Sequence, residues 1–552
     1  MLEKKYIAIL ILGTLLISTV AFSGCVDPDD DEERPTLLRM GFAWPTDIDP
    51  AIGTDKSSAV AFTNFYDPLV FPTQDGVEPW IAEDWDVSED AMTWTFYLRD
   101  DVTFHSGNEM TAEDVMFSME RLVTIGEGFA HMFEPYIDIE GSEVVDDYTV
   151  RFKLTEPRGV FLPSLVRLYI VDKEEVLDNA VEDADFVYEP WGNDLGRGYL
   201  IENSAGTGPY NVYEAVIEDH FYGERFEDYW GPMAENAPDE FRMLALGEAG
   251  TERTMFGAEE LEITSEWLEH HTVVDIAETF DGKLGAYPEG GALYGMMHTQ
   301  KEPLDCLYVR KAISYTFDYE SQINDIFPES ETMEGILPIL LGGAVEQDMP
   351  TTDREKAMEY LEQSQYYPDI IENPGDYEIE ASWTGAVPAT EHVALMITSD
   401  VEEIGLEARS RRYEWGALID AMYEKETAPH ICIVWVSADY PEAGSLLNAR
   451  YHSRNARSWQ QNEWLEDDDI DELIDDALRE PDMDERFALY EEVQNELFEM
   501  YPSLFLHDQY SKHAYQPYVT WPEAEDPLEY SIPSNGYSVN VRNIEVLPHG
   551  ER

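Results

Sequence analysis

The spacing of apolar residues divides the chain into alternating strand-like and helix-like segments. Residues 37–44 (LLRMGFAW) predict a first strand. Thr93 through Leu98 (TWTFYL) are rich in β-branched and aromatic side chains and predict another. Residues 102–104 (VTF) predict a short third strand. His105-Ser106-Gly107-Asn108 is turn chemistry, because Gly accepts positive φ and Ser and Asn can bond their own backbone. Thr111 stands where a helix N-cap belongs, with Asp114 three residues on as a shortened capping box. Ala112, Val115, Met116, Met119, Leu122 and Val123 follow at helical spacing. Farther along, Val309, Ala312, Ile313 and Thr316/Phe317 share one helical face within residues 305–317. Val393, Met396, Ile397, Val401 and Ile404 line a further helix, which Gly405 caps before a strand at 406–409. The unbroken apolar run 431–436 (ICIVWV) is that of a buried strand. Helices at 470–479 and 484–500 and a strand at 504–507 complete an α/β pattern without internal repeats.

The first 35 residues follow another logic. Lys4 and Lys5 precede a mostly apolar run, 7–22, that ends in Ser23-Gly24-Cys25, the layout of a secretory signal peptide. The run is about 16 residues, short of the roughly 20 a spanning helix needs, and an uncleaved signal anchor is the alternative. Either reading places the bulk of the chain outside the cytoplasm. Residues 26–35 (VDPDDDEERP) are acidic, carry two prolines and predict a self-repelling tether.

Charge changes the picture most. The chain carries 116 acidic against 34 basic residues, a net charge of −82. Nucleic acid is excluded as a partner, since binding it needs a basic surface. The acids are spread along the whole chain, so their repulsion must be screened. At about 1 M salt the Debye length is only about 3 Å. A high-salt habitat, that of a halophilic archaeon, is therefore expected. Beyond Cys25 only Cys306 and Cys432 remain. They cannot form a disulfide framework and are expected to be free, buried thiols. The chain contains no Gly-x-Ser-x-Gly, His-Glu-x-x-His or Walker loop. His270-His271 has the wrong spacing for two metal ligands on one helix face. No cofactor or metal is called for, and a secreted hydrolase finds no nucleophile motif.

The order of residues around the first predicted helix adds a resemblance. Trp85, Thr93, Phe96, Leu98, Arg99, Val102, Phe104, His105, Gly107, Thr111, Ala112, Asp114, Val115, Ser118 and Arg121 reproduce the signature of the extracellular solute-binding proteins, family 5. Residues 64–70 (NFYDPLV), 206–210 (GTGPY), 225–231 (RFEDYWG) and 305–317 resemble further segments of that family, 293–299 (LYGMMHT) resembles its strand crossing between lobes, and 352–361 resembles one of its helices. The tetrapeptide ending at Cys25 resembles a lipobox, which implies a lipid anchor at Cys25 that ties the protein to the outer face of the cell membrane. The resemblance implies a two-lobed α/β fold of the periplasmic-binding-protein type (class II), with an extra subdomain and a ligand cleft between the lobes. By that pattern residues 1–25 are the signal peptide and 26–35 the tether. Residues 36–295 with 508–552 form the first lobe, 77–196 its subdomain, and 296–507 the second lobe.

The implied role is that of a monomeric, non-enzymatic binding component. It would capture extracellular di- or oligopeptides and deliver them to an ABC permease. The alternatives are the same fold binding a nickel chelate or a sugar, or serving as a sensory receptor. Ala438-Asp439-Tyr440 matches the peptide-binding members, in which this Asp pairs with the ligand's α-amino group. A carboxylate in a partly dry cleft suits an ammonium ion. Trp44, Tyr294, Trp383, Trp415 and Trp435 are aromatic candidates for the cleft wall. Arg409, Arg411 and Arg412 could meet a ligand carboxylate or serve as surface partners of nearby acids. Ile433 stands where some oligopeptide binders carry an Arg, which argues against a fixed C-terminal clamp. The peptide backbone would be held by main-chain groups, like an added β-strand.

Overall fold

A computed structural model describes residues 35–552 apart from 43–46, 75, 183, 185, 247, 386, 388, 549 and 551. The proposed signal peptide, Cys25, most of the tether and Trp44 lie outside the described residues. The molecule is two-lobed and mixed α/β. In one lobe the strand Leu37–Phe42 runs parallel to Glu240–Ala245, which continues antiparallel through His220–Arg225 to Tyr210–Val216. An antiparallel sheet of Ala82–Val87, Thr93–Leu98, Thr149–Lys153 and Glu143–Asp146 builds the subdomain. The other lobe rests on a five-stranded sheet. Its order is Ala408–Tyr413, Ile379–Thr384, Ile431–Ser437, Lys283–Met297 and Ser503–Tyr515.

Most elements form where the apolar spacing places them. The helix Ala112–Ile125 opens on Thr111 with a complete capping box: the Asp114 carboxylate accepts from the Thr111 N–H at 2.9 Å. The helix closes on Gly126 at φ 70°. The helices Leu307–Thr316, Arg354–Leu361, Ala389–Glu403, Asp468–Arg479 and Met483–Met500 and the strand Ile431–Ser437 match expectation within a few residues. Two predictions need correction. Residues 102–104 form no strand, because Thr103 finds only an isolated bridge to Glu109. The predicted strands at 293–299 and 504–507 are parts of much longer ones, Lys283–Met297 and Ser503–Tyr515. These two pair along most of their length and run from one lobe into the other. Their register shifts between Pro288 and Ala292 and again between Leu293 and Tyr294. Gly290 sits in this break at φ 65°, and a Cβ there would come within 2.4 Å of the Pro533 carbonyl oxygen, so only glycine fits.

The family-like motifs converge on the frame of the first lobe. Asp67 is buried and accepts hydrogen bonds from Trp80 Nε1 (2.8 Å), Thr207 Oγ1 (3.0 Å), Trp230 Nε1 (3.1 Å) and the Tyr229 hydroxyl (3.2 Å). One carboxylate thus ties 64–70, 206–210 and 225–231 together. Arg121, 1 % exposed, makes a two-pronged pair with Asp49 at 2.7 and 2.6 Å. His105 Nε2 lies 2.9 Å from the Gly208 carbonyl, and burial pushes its pKa down to about 4. Gly206 and Gly208 abut the Phe65–Tyr66 backbone, where a Cβ would clash. They serve close packing within the frame.

Candidate functional site

The strand Ile431–Ser437 leads into the cleft. On one side it pairs antiparallel with residues 291–297. On the other it pairs with Ile379–Thr384 only at Ile431 and Cys432. The Ala438 N–H donates to the Gly290 carbonyl at 3.1 Å, continuing the first ladder. Because main-chain groups alternate sides along an antiparallel strand, Trp435 and Ser437 turn their N–H and C=O groups the other way, past the last paired residue of the neighbouring strand. Among the described residues no strand occupies that edge.

Trp435, on this edge, lines a cavity of about 640 Å³ between the lobes. Trp267 and the start of the helix His270–Phe280 face it from one side; residues 325–330, Trp435 and His392 face it from the other. Its aromatic wall is built on Trp435. The rings of Phe327 and Trp267 lie 5.8 and 6.5 Å from it, both near perpendicular, and His507 lies 6.0 Å away. His507 lies 4.2 Å from the Phe327 ring, tilted by 35°, and accepts from Gln322 Nε2 at 2.6 Å; burial pushes its pKa down to about 3, so it is neutral. The cations beside the cavity are already matched. Lys512 Nζ lies 2.6 Å from Glu329, and Lys56 is shared by Glu266 and Glu289. His270 also pairs with Glu329, at 2.8 Å. Among the described residues no group of His, Cys, Asp and Glu is arranged to hold a metal ion.

Asp439 is half-buried two residues beyond the strand. Its N–H donates to Ser445 Oγ at 2.8 Å. Its carbonyl accepts from Arg167 Nε at 2.7 Å and Ser534 Oγ at 3.3 Å, both from segments distant along the chain. This main-chain harness fixes the loop and leaves the carboxylate free of it. His131 Nε2, on the subdomain, lies 3.8 Å from Oδ2.

The other aromatic candidates lie elsewhere. Tyr294 is fully buried, with the Arg450 guanidinium 3.4 Å from its ring centre and its hydroxyl bonded to the Ile336 carbonyl, so it is core. Trp383 is also buried and donates to Ser410 Oγ at 2.9 Å. Trp415 is 37 % exposed and packs edge-on against Trp459. None of the three lines the cavity; Trp435 does. The sequence reading missed Trp267, Phe327 and His507, which carry no motif. Arg409 pairs with Glu378 and Glu380, Arg411 with Glu380 and Arg412 with Glu414, so all three are partners of nearby acids. Cys306 and Cys432 are free; Cys432 is buried and Cys306 half-buried. Among the described residues no helix is long and apolar enough to cross a membrane.

Comparison with known proteins agrees with this architecture. The chain is 24% identical over 472 residues to the probable D,D-dipeptide-binding periplasmic protein DdpA of Escherichia coli, covering 82% of this chain and 84% of that one. It is 27% identical over 521 residues to di/tripeptide-binding protein 2 of Pseudomonas aeruginosa, covering 89% and 92%. The fold is similar to that of the periplasmic binding protein DppA of Helicobacter pylori in complex with the peptide STSA. There the TM-score is 0.73 at 22% identity, over 93% of this chain and 98% of that one. Residues 76–458 match the family described as bacterial extracellular solute-binding proteins, family 5 middle. With that match spanning more than half of its length, the chain belongs to the extracellular solute-binding proteins, family 5.

Proposed function

We propose that the protein captures peptides outside the cell and hands them to an ABC permease, without performing chemistry on them. The observation that carries peptide over other solutes is the main-chain edge past Ile431 and Cys432, unpaired among the described residues, of which Trp435 lines the cavity; Asp439 follows in the loop after the strand, outside the cavity's lining. An extended peptide can add to such an edge by backbone hydrogen bonds, which do not depend on side-chain identity. Asp439 then receives the α-amino group, and Trp435 with Trp267 and Phe327 offers a broad apolar wall. The pairing of Lys512 and Lys56 with glutamates leaves no lysine committed to a C-terminal carboxylate, which favours ligands of variable length. The printed names of DdpA and of the di/tripeptide-binding protein support the same class.

In this reading residues 36–295 with 508–552 form one lobe, 77–196 its subdomain and 296–507 the other. The register breaks at 288–294 are the natural hinge for closure. Cys25 is the lipid anchor, residues 26–35 the tether, and the working protein is a monomer on the outer cell surface. The net charge of −82 suits a high-salt medium. Loss of the folded state on dialysis to millimolar salt is expected, and an unchanged unfolding midpoint would remove that part. The functional test is mass spectrometry of small molecules released by denaturing freshly purified protein. Peptides with free N-termini are expected; a sugar or a metal chelate in their place would overturn the proposal.

A further inference from the structure

The carboxylate of Asp439 has an unusual counter-ion. The arginines around it are committed to other groups. Arg167 holds the Asp439 and Asn535 carbonyls, at 2.7 and 2.9 Å. The Arg158 guanidinium lies 3.6 Å from the Tyr136 ring centre, and Arg454 bonds the Tyr136 hydroxyl and Asp475. Arg486 is paired with Glu442, at 2.8 Å, which cancels the nearest other acid on the same loop. Glu127 beside the turn that carries His131 is matched by Arg197, at 2.7 Å. Among the described residues the one ion pair of Asp439 is with His131, across the cleft.

The ring geometry gives that pair a condition. His131 Nδ1 lies 3.3 Å from the Gly128 carbonyl, which can only accept, so Nδ1 carries a proton. A neutral ring in that tautomer presents the Nε2 lone pair to Asp439, which is repulsive. Only the imidazolium has N–H on both nitrogens and can face both oxygens favourably. At 3.8 Å the contact is an ion pair and not a hydrogen bond, and His131 is 58 % exposed, so the ring can leave.

We propose that His131 is the protein's own cation for the amine site, so that the protonated imidazole and the ligand's ammonium compete for the Asp439 carboxylate. The inference rests on the reading of Asp439 as the ammonium anchor. Partial loss of hydration at the cleft rim opposes protonation of His131, but the Asp439 carboxylate and the Gly128 carbonyl outweigh it and hold its pKa above the ordinary histidine value. The imidazolium is therefore present across the mildly acidic range. Peptide affinity falls as pH drops and rises as His131 loses its proton. A pair this exposed alters affinity by about threefold to fivefold.

The test compares the dissociation constant of a tripeptide for wild-type protein and for His131→Gln, at pH 5 and pH 7.5 and at one salt concentration, with Asp439→Ala alongside. Comparison at equal pH cancels titration of the ligand's own amine. His131→Gln is expected to bind about threefold to fivefold tighter than wild type at pH 5, with the difference shrinking towards pH 7.5. His131→Arg, a cation at every pH, is expected to bind more weakly than wild type at pH 7.5. If Asp439→Ala loses affinity but His131→Gln follows wild type at both pH values, the competition is refuted and the anchor stands. If Asp439→Ala binds as wild type does, the anchor fails and this inference with it.

Discussion

The frame of the first lobe and the rim of the cleft use charged groups in opposite ways. In the frame, Arg121 is sealed against Asp49 and Asp67 takes four donors, so each charge is consumed by a fixed neighbour. At the rim, the main chain of Asp439 is harnessed by Arg167 and Ser445 while its carboxylate, among the described residues, meets a loose, exposed histidine alone. A saturated carboxylate stabilises a fold and has nothing left for a ligand. An unsaturated one on a fixed loop costs some stability and can bind. The family-like residues Arg121 and Asp67 are therefore spent on the frame itself.

The comparison can be broken at several points. The largest effect is expected at Arg121→Ala, which strands the buried Asp49 carboxylate and should cost about 3–5 kcal/mol in denaturant unfolding, with peptide affinity of the remaining folded protein unchanged. A loss of affinity without loss of stability would place Arg121 at the site and dissolve the distinction. The pH dependence of the frame comes next. His105 has its pKa lowered from 6.5 to about 4, so the unfolded chain binds more protons between those values. Its contribution to stability is intact above about pH 6.5 and is lost as pH falls towards 4, at no more than about 1.4 kcal/mol per pH unit. His105→Gln should show a shallower acid decline of the urea midpoint than wild type; parallel declines would contradict the burial argument. The smallest change in folding is expected at Asp439→Ala, within about 0.5 kcal/mol of wild type, as for surface substitutions in general. Its tripeptide affinity should nonetheless fall at least tenfold, or about 1.4 kcal/mol. Normal binding by this variant, measured by calorimetry, would remove Asp439 from the site.

How much of this was legible in the sequence follows the same division. The capping box at Thr111 and Asp114 and the buried strand after residue 430 could be read because local chemistry specifies them. The two long crossing strands exceed the segments the sequence predicts, and Pro288, Gly290 and Gly291 mark a register break inside the first of them, where the strand continues. The aromatic candidates illustrate the deeper limit. Trp435 pairs with Leu293, and Tyr294 with Val434, so in register terms the two aromatics stand one residue apart and face opposite sides of the sheet. One lines the cavity and the other is sealed against Arg450. Nothing in either residue's neighbours along the chain says which side is cleft. Trp267, Phe327 and His507 come from three distant segments that meet only in the folded molecule.

The central claim is that the open strand edge and the Asp439 carboxylate together hold a peptide by its backbone and its free amino end. Calorimetric titration of ligand-stripped wild-type protein with a tripeptide and with its N-acetylated counterpart tests it most directly. The account predicts saturable binding of the free tripeptide and at least tenfold weaker binding of the acetylated one, a difference of about 1.4 kcal/mol. Equal affinity for both, or no binding of either while another solute saturates the cleft, would contradict it.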